Sequence, residues 1–472
     1  YGGVRGRELI APSYSIEKKR KGDLCMSPTP NLVAEPERRQ TKKASTAAVL
    51  SFLFMGLGQI YNRQYIKGIL YALVEIYVIV FLTNPIVNGL WGLITLGEQA
   101  QVRRRGRVVI EGDHSIFLMI EGLIIVIVLV IFLLFYIYNI RDAYKTGKLH
   151  ETGEKVNSFI ESLKKSWEYG YAYILLTPAA IFTLFLSVLP LTFGILIAFT
   201  NFSSPNHLPP KNLVDWVGFQ NFIDLFRLQA WSKTFYGIAT WNIIWAILAT
   251  FTTFFVGMFF ALIINHNKVR LKRMWRTIFI LPWAVPQFIS ILVFRNIFNG
   301  QFGPLNQYLS TLGIDPIPWL SDPFWAKVAL VTINIWLGFP FWMALIAGVL
   351  TNIDKELYEA AEVDGASTFQ KFRSITFPLL MYYTSPLLIM SFAGNINNFN
   401  VIYLFTQGGP ADGKYTYAGS TDLLISWIYK LTLNHSQFYM ASVLSILIFI
   451  VVAVFSIWNF RQTKAFKEEE VM

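Results

Sequence analysis

The residues best equipped for chemistry in this chain are carboxamides set among apolar neighbours. Ser391, Asn395, Asn397, Asn398 and Asn400 crowd a stretch that otherwise has the composition of a membrane helix. In a helix Asn395 and Asn398 stand three apart and share a face, which Ser391 extends by one turn. Polar groups at that depth are costly and tend to face a bundle interior or a watery cavity. A second apolar stretch offers Asn334, Trp336, Gly338 and Phe341. Amides both donate and accept, so they match hydroxyl groups, while aromatic rings cover the apolar faces of a sugar. The pattern points to binding an uncharged, hydroxyl-rich solute, not to bond making. The competing reading makes these amides links between helices, each contributing about 1 kcal/mol or less.

Other chemistries find little support. Cys25 is the only cysteine, which excludes an intramolecular disulfide or a paired-thiol site. His114, His150, His207, His266 and His435 are scattered without metal-ligand spacing, so no metal or other cofactor is expected. No GxxxxGK[ST] phosphate loop is present, and nucleophiles, histidines and carboxylates do not cluster as an enzyme would require. Glu75 and Glu121 lie in apolar stretches. They could carry protons in a coupled secondary transporter, although pairing with helix neighbours is the plainer role.

The elements that must position these groups are membrane helices. Hydrophobic residues form 54% of the 472 positions and charged residues 15%, too apolar for a chain dissolved in water. A hydrocarbon core of roughly 30 Å needs about 20 apolar residues of helix. Stretches of that kind fall at 65–83, 115–140, 172–200, 235–265, 276–298, 326–350, 378–405 and 438–460. The expected fold is therefore an all-α polytopic bundle of about eight spans. It divides into a disordered polar tail (1–43), a two-span membrane module (44–140), a charged cytoplasmic linker (141–171), a six-span core (172–460) and a cytoplasmic tail (461–472). Residues 45–61 are apolar but short, and read as an interfacial or re-entrant helix. No cleavable signal peptide opens the chain, and Met26, the first methionine, is the expected start of native translation.

Basic loops set the orientation. Lys268, Arg270, Lys272 and Arg273 crowd a short acid-free loop, which belongs inside, whereas 299–325 carries Asp315 and Asp322 with no Lys or Arg and belongs outside. Alternation places 351–377 and both termini in the cytoplasm. The cluster Arg103, Arg104, Arg105 and Arg107 would then fall outside, an exception to the rule. Pro282, Pro286, Pro340 and Pro386 interrupt the fifth to seventh spans and are candidate kinks.

Residues 357–379 read LYEAAEVDGASTFQKFRSITFPL. Asp354 can cap a first helix, Gly365 can end it in a left-handed turn, and Ser367 with Gln370 has capping-box spacing for a second. Ala360 and Ala361 keep one face small enough for another surface to approach. Phe372 and Ile375 form an apolar pair three apart.

The set Glu359, Ala360, Ala361, Asp364, Gly365, Ala366, Phe372, Ile375 and Pro378 resembles the coupling motif of ABC importer permeases, with Phe377 where the pattern usually has Leu. The stretches GLGQIYNRQYIKGI, DWVGFQNF, RTIFILPWAVPQF, WLGFPFWMALIAGVL, NINNFNVIYLFTQGGP and TDLLISWIYKLT are similar to the maltodextrin permeases of Gram-positive bacteria. The resemblance implies a bacterial plasma-membrane subunit that imports maltodextrin or a related oligosaccharide. It implies a second permease subunit, two ATPase subunits docking on 351–377, and an extracellular sugar-binding lipoprotein as partners. Asn334, Gly338, Phe341, Ser391, Asn395 and Asn398 align with sugar-lining positions of the maltose prototype. Phe341 replaces a tyrosine there and Gly394 an aromatic residue, so the pocket would be wider, or stacking would pass to Trp336 and Phe392. The folded outer domain of that prototype has no counterpart in the short segment 201–234.

Overall fold

The computed structural model describes residues 43–105, 107–207, 211–266 and 268–462. The expected polar tail, with Cys25 and Met26, and the basic stretch beyond 462 lie outside the described residues. Described elements begin with α1 (Lys43–Leu53), too short to span, and α2 (Leu57–Tyr61), joined by a turn in which Gly56 takes φ 88°. Next come α3 (Tyr65–Tyr77), a π-helical segment (Val78–Leu82) and α4 (Thr83–Thr95), together one apolar span of 31 residues. Strands β1 (Val102–Arg104) and β2 (Arg107–Ile110) pair antiparallel and carry the arginine cluster on an exposed hairpin.

Helix α5 (Ser115–Thr152) has 38 residues, about 57 Å at 1.5 Å per residue, and so overshoots a bilayer core. Its second half receives the α1–α2 hairpin through small residues. A Cβ on Gly58 would lie 2.9 Å from the Ala143 Cβ, and one on Gly147 would lie 2.6 Å from the Ala44 Cα. A sealed polar network ties the pieces together. Asn139 accepts from the Gly56 amide and donates to the Ser51 carbonyl, while Gln59 donates to the Asn139 carbonyl and to Asp142. Lys67 pairs with Asp142 at 2.6 Å.

The stretch 141–171, expected to be a linker, is mostly helix. Helix α5 runs on to Thr152, and α6 (Phe159–Thr183) starts at a capping box formed by Ser158 and Glu161. It passes through a π-helical segment (Leu184–Val188) into α7 (Leu189–Ile197). Leu96, Met119, Ile197 and Val214 form an apolar cluster that joins α4 and α5 to α7. Beside it the Trp216 indole donates to the Ile94 carbonyl at 3.1 Å.

After α8 (Gln220–Arg227) comes α9 (Gln229–Asn265), the central staff of the core. Then follow α10 (Lys272–Ala284), α11 (Gln287–Ile297), the outer helix α12 (Pro304–Thr311) and α13 (Pro323–Thr351), which packs along α9. The approach of α13 to α9 is close. A Cβ on Gly257 would stand 2.5 Å from the Trp342 Cβ, and one on Gly338 2.7 Å from the Thr253 Cγ2. Such small-residue contacts are how helices gain van der Waals packing where lipid removes the hydrophobic drive.

The expected fifth span is not one rod. Helices α10 and α11 meet at 89°, because Pro286 lacks the amide that would continue the ladder. Pro340 and Pro386, also expected to break spans, instead lie inside continuous helices. Helix α14 (Lys355–Val363), the turn-and-a-bit α15 (Thr368–Lys371), a π-helical segment (Phe372–Thr376) and α16 (Phe377–Ile396) come next. The chain breaks again at Asn397, correcting the continuous span expected over 378–405, and resumes as α17 (Phe399–Phe405). Helices α18 (Leu424–Leu433) and α19 (Phe438–Gln462) close the described chain. In all there are 7 helices long and apolar enough to cross a membrane, or 8 with the bent pair taken as one span, among the described residues.

Candidate functional site

Two adjacent residues on α9 gather the amides singled out in the sequence. Asn334 is buried and donates to the Ala249 carbonyl at 3.3 Å, and Asn395 donates to the Thr250 hydroxyl at 2.9 Å. Asn398 donates to the Asn395 carboxamide oxygen at 3.3 Å and caps α17 by accepting from the Val401 amide. The amides thus hold helices together, while Asn395 and Asn398 remain half-exposed. Asn397 and Asn400 are exposed. Gly338 faces Thr253 of α9, whereas a side chain on Gly394 would meet nothing within 4 Å. Ser391 lies half-buried on the same helix.

The two rings expected to stack on a solute each pack against a neighbouring aromatic. Phe392 packs on Phe455 at 5.1 Å, and Trp336 sits against Phe294 at 6.1 Å. The ring beside Phe341 is Trp283, at 6.3 Å between centroids, and it is 62% exposed. It stands at the α10–α11 break, where a cavity of about 350 Å³ is lined by Trp283, Val285, Gln287 and Leu337. The last carbonyls of α10 have no following helical amides to bond, and irregular backbone at membrane depth is tolerated only inside protein or beside water. Gln287 is exposed at the same break.

Asn242 was also missed. From α9 it donates to the Ile396 carbonyl at 3.0 Å and accepts from the Leu424 amide at 2.9 Å, clamping the break before α17. Beyond that break Asp422 is fully buried. It accepts from the Gly419 amide and the Ser426 hydroxyl and pairs with Lys430 at 2.5 Å. Burial pushes its carboxyl above the ordinary aspartate range, while the Lys430 ammonium and these donors pull it back.

The other candidate region is the hairpin of α14 and α15. Gly365 takes φ 76°, its amide bonds the Glu362 carbonyl, and the Ala366 amide bonds Ala361 in the manner of a Schellman turn. Ser367 and Gln370 form a reciprocal capping box, whereas Asp354 stands at the N-cap of α14 without a side-chain bond. Glu359, Ala360, Asp364 and Gly365 are exposed, Ala361 is half-exposed, and Phe372 and Ile375 fall in the π-helical segment. The Tyr358 and Thr376 hydroxyls bond at 2.9 Å, and Lys371 pairs with Glu362 at 3.6 Å, which fixes the angle between the helices. Val363, 89% exposed, and Phe369, 68% exposed, add apolar contact area that the sequence reading passed over.

Helices broken at membrane depth, amides that bridge them and an exposed helical hairpin define a polytopic membrane subunit. Residues 253–463 match the family described as binding-protein-dependent transport system inner membrane component. The chain is 42% identical over 423 residues to the galactooligosaccharides transport system permease protein GanP of Bacillus subtilis, covering 89% of this chain and 98% of that one. It is 41% identical over 441 residues to the maltodextrin transport system permease protein MdxF of the same organism, covering 92% and 98%. The maltodextrin permease MalC of Streptococcus pneumoniae is 39% identical over 445 residues, covering 92% and 99%. A bacterial ABC transporter structure involved in alginate import shares the fold, with a TM-score of 0.50 and 23% identity over 64% of this chain and all of that one. The chain belongs to the permease family of ABC importers.

Proposed function

We propose that this chain, with a second permease subunit, forms the membrane path of an ATP-driven importer for maltodextrin or a related oligosaccharide. The observation that carries this reading is the α10–α11 break, where Trp283 and Gln287 line a cavity of about 350 Å³ and the exposed Trp283 ring also packs beside Phe341. Trp283 and Phe341 offer faces to a sugar ring, and Asn334, Ser391, Asn395 and Asn398 offer amides and a hydroxyl to its oxygens. Gly338 lets α13 close on α9, and Gly394 leaves room. Named relatives for both galactooligosaccharides and maltodextrin support an oligosaccharide as cargo.

ATP hydrolysis belongs to two separate ATPase subunits. They dock on the exposed hairpin through Glu359, Ala360, Ala361, Asp364 and Gly365, with Phe372 and Ile375 carrying motion into α16. An extracellular sugar-binding lipoprotein delivers the cargo. Both termini and the hairpin face the cytoplasm of a bacterial cell. The module of residues 44–140 flanks the six-span core without lining its path.

A proton-coupled transporter is disfavoured by the fate of its carboxylates. Glu75 is occupied as acceptor of the Met55 amide, and Glu121 faces outward from α5. The deciding experiment is reconstitution. Chain, partner permease, ATPase and binding protein together are expected to accumulate labelled maltodextrin or galactooligosaccharide with ATP. Accumulation by the chain alone under a proton gradient would overturn the reading. With Cys25 replaced by serine, Val269→Cys is expected to be shielded from an impermeant thiol reagent in intact cells and Gln301→Cys to be labelled; the reverse would invert the orientation.

A further inference from the structure

A second cavity lies between α9, α10 and α13, toward the end of α13 that leads into α14. It has a volume of about 300 Å³, and Ile264, Ile280, Met343, Ala347 and Thr351 line it together with Arg276, its one charged group. The Arg276 Nε is buried without a hydrogen-bond partner, and none of the ion pairs among the described residues includes this guanidinium. An arginine left so in an apolar setting is costly, and its planar fork of donors matches a phosphate.

Position identifies the source of that phosphate. Arg276 lies one turn inside the start of α10, after exposed Lys268 and Arg270 of the acid-free loop and exposed Arg273 of the helix's first turn. Basic residues at this level of a membrane attract anionic headgroups, and basic pockets between helices hold them. Apart from the Thr351 hydroxyl the remaining lining is apolar, which suits the start of an acyl chain. We propose that this cavity binds an anionic phospholipid of the inner leaflet, with Arg276 holding the phosphate and the 268–273 loop drawing it in. The lipid then wedges α10 against α13 directly below α14. The inference places the hairpin on the cytoplasmic side and is independent of which solute is carried.

The test is native mass spectrometry of the intact importer, after equilibration in nanodiscs of phosphatidylcholine with phosphatidylglycerol. Wild type is expected to retain phosphatidylglycerol. Arg276→Gln is expected to lower retention about tenfold, the effect of losing one charge-assisted contact, and Arg276→Lys to restore part of it. Gly348→Leu fills the same cavity while keeping the charge. An added Cβ there meets no atom within 4 Å, so the helix accepts it, and retention is again expected to fall. Equal retention in wild type, Arg276→Gln and Gly348→Leu would overturn the proposal. So would displacement of the lipid by inorganic phosphate alone, which would mark a free-anion site. Loss of partner-permease co-purification in Arg276→Gln with lipid retention unchanged would assign the guanidinium to a subunit carboxylate and end the lipid reading. Lipid count separates this inference from the transport reading, since uptake does not enter it.

Discussion

The α1–α5 module and the α9–α17 core use the same polar residues to opposite ends. In the module Asn139, Gln59 and Asn62 are fully enclosed, and each bonds a backbone group across a contact made of alanine and glycine. In the core Asn395 and Asn398 bond their neighbours but stay half-exposed, and they sit where a helix ends at Asn397. An amide within a continuous helix can be sealed by its neighbours. An amide at a break has loose backbone beside it, which at membrane depth requires protein or water. Side-chain type alone does not separate the two: Asn62 is enclosed at the end of α2, whereas Asn395 and Asn398 stay half-exposed at the end of α16.

The largest effect that would sharpen this contrast is expected from Asn139→Leu. It strands the Gly56 amide and the Ser51 carbonyl in a sealed site, at about 1–3 kcal/mol each. Thermal unfolding of the purified complex should fall clearly, with ATP-dependent uptake per folded complex little changed. Normal thermal stability would show that the module is not held by this network.

Next comes Gly365→Val, at a position where a left-handed backbone costs a non-glycine residue about 1–2 kcal/mol. The added Cβ itself meets nothing within 4 Å, so the effect comes from backbone strain and from whatever surface docks there. Sugar-stimulated ATP hydrolysis is expected to drop about tenfold with the spans still inserted. Unchanged stimulation and ATPase co-purification would remove the hairpin from coupling.

The double substitution Asn395→Leu with Asn398→Leu is the counterpart of Asn139→Leu. It removes the link to Thr250, the Asn398–Asn395 bond and the cap on the Val401 amide, each worth about 1 kcal/mol or less, so assembly is expected to survive while oligosaccharide uptake falls severalfold. If stability falls as far as in Asn139→Leu and uptake per complex does not, the core amides are adhesive after all. Smallest is Trp283→Ala. The ring is largely exposed, and losing its stacking removes about 0.5–1.5 kcal/mol from solute binding. A raised half-saturation concentration for uptake at constant maximal rate is the expected signature, and an unchanged one would exclude this ring from the path.

Much was legible without coordinates. Spans follow from apolar length, and the Gly365 turn and the Ser367–Gln370 box follow from local backbone chemistry. The α10–α11 break was half-legible. Four prolines marked possible kinks, but a proline inside a membrane helix is tolerated when neighbours satisfy the freed groups, as at Pro340 and Pro386. Trp336 and Phe392 were the rings the sequence offered for stacking, and Trp283 beside Phe341 was not among them, because a ring carries no sequence mark of which helix it will face.

The sequence by itself determined that the chain lives in lipid, where its helices begin and end locally, and that its chemistry is binding. Each of those depends on composition or on residues a turn apart. Only the tertiary structure decided that Asn334 and Asn395 meet neighbouring residues of α9, that Phe341 pairs with Trp283, and that the Arg276 Nε is left without a hydrogen-bond partner. Those facts depend on how helices far apart in the chain are turned toward each other. That rotation is set by close contacts such as Gly257 against Trp342, which no local pattern records.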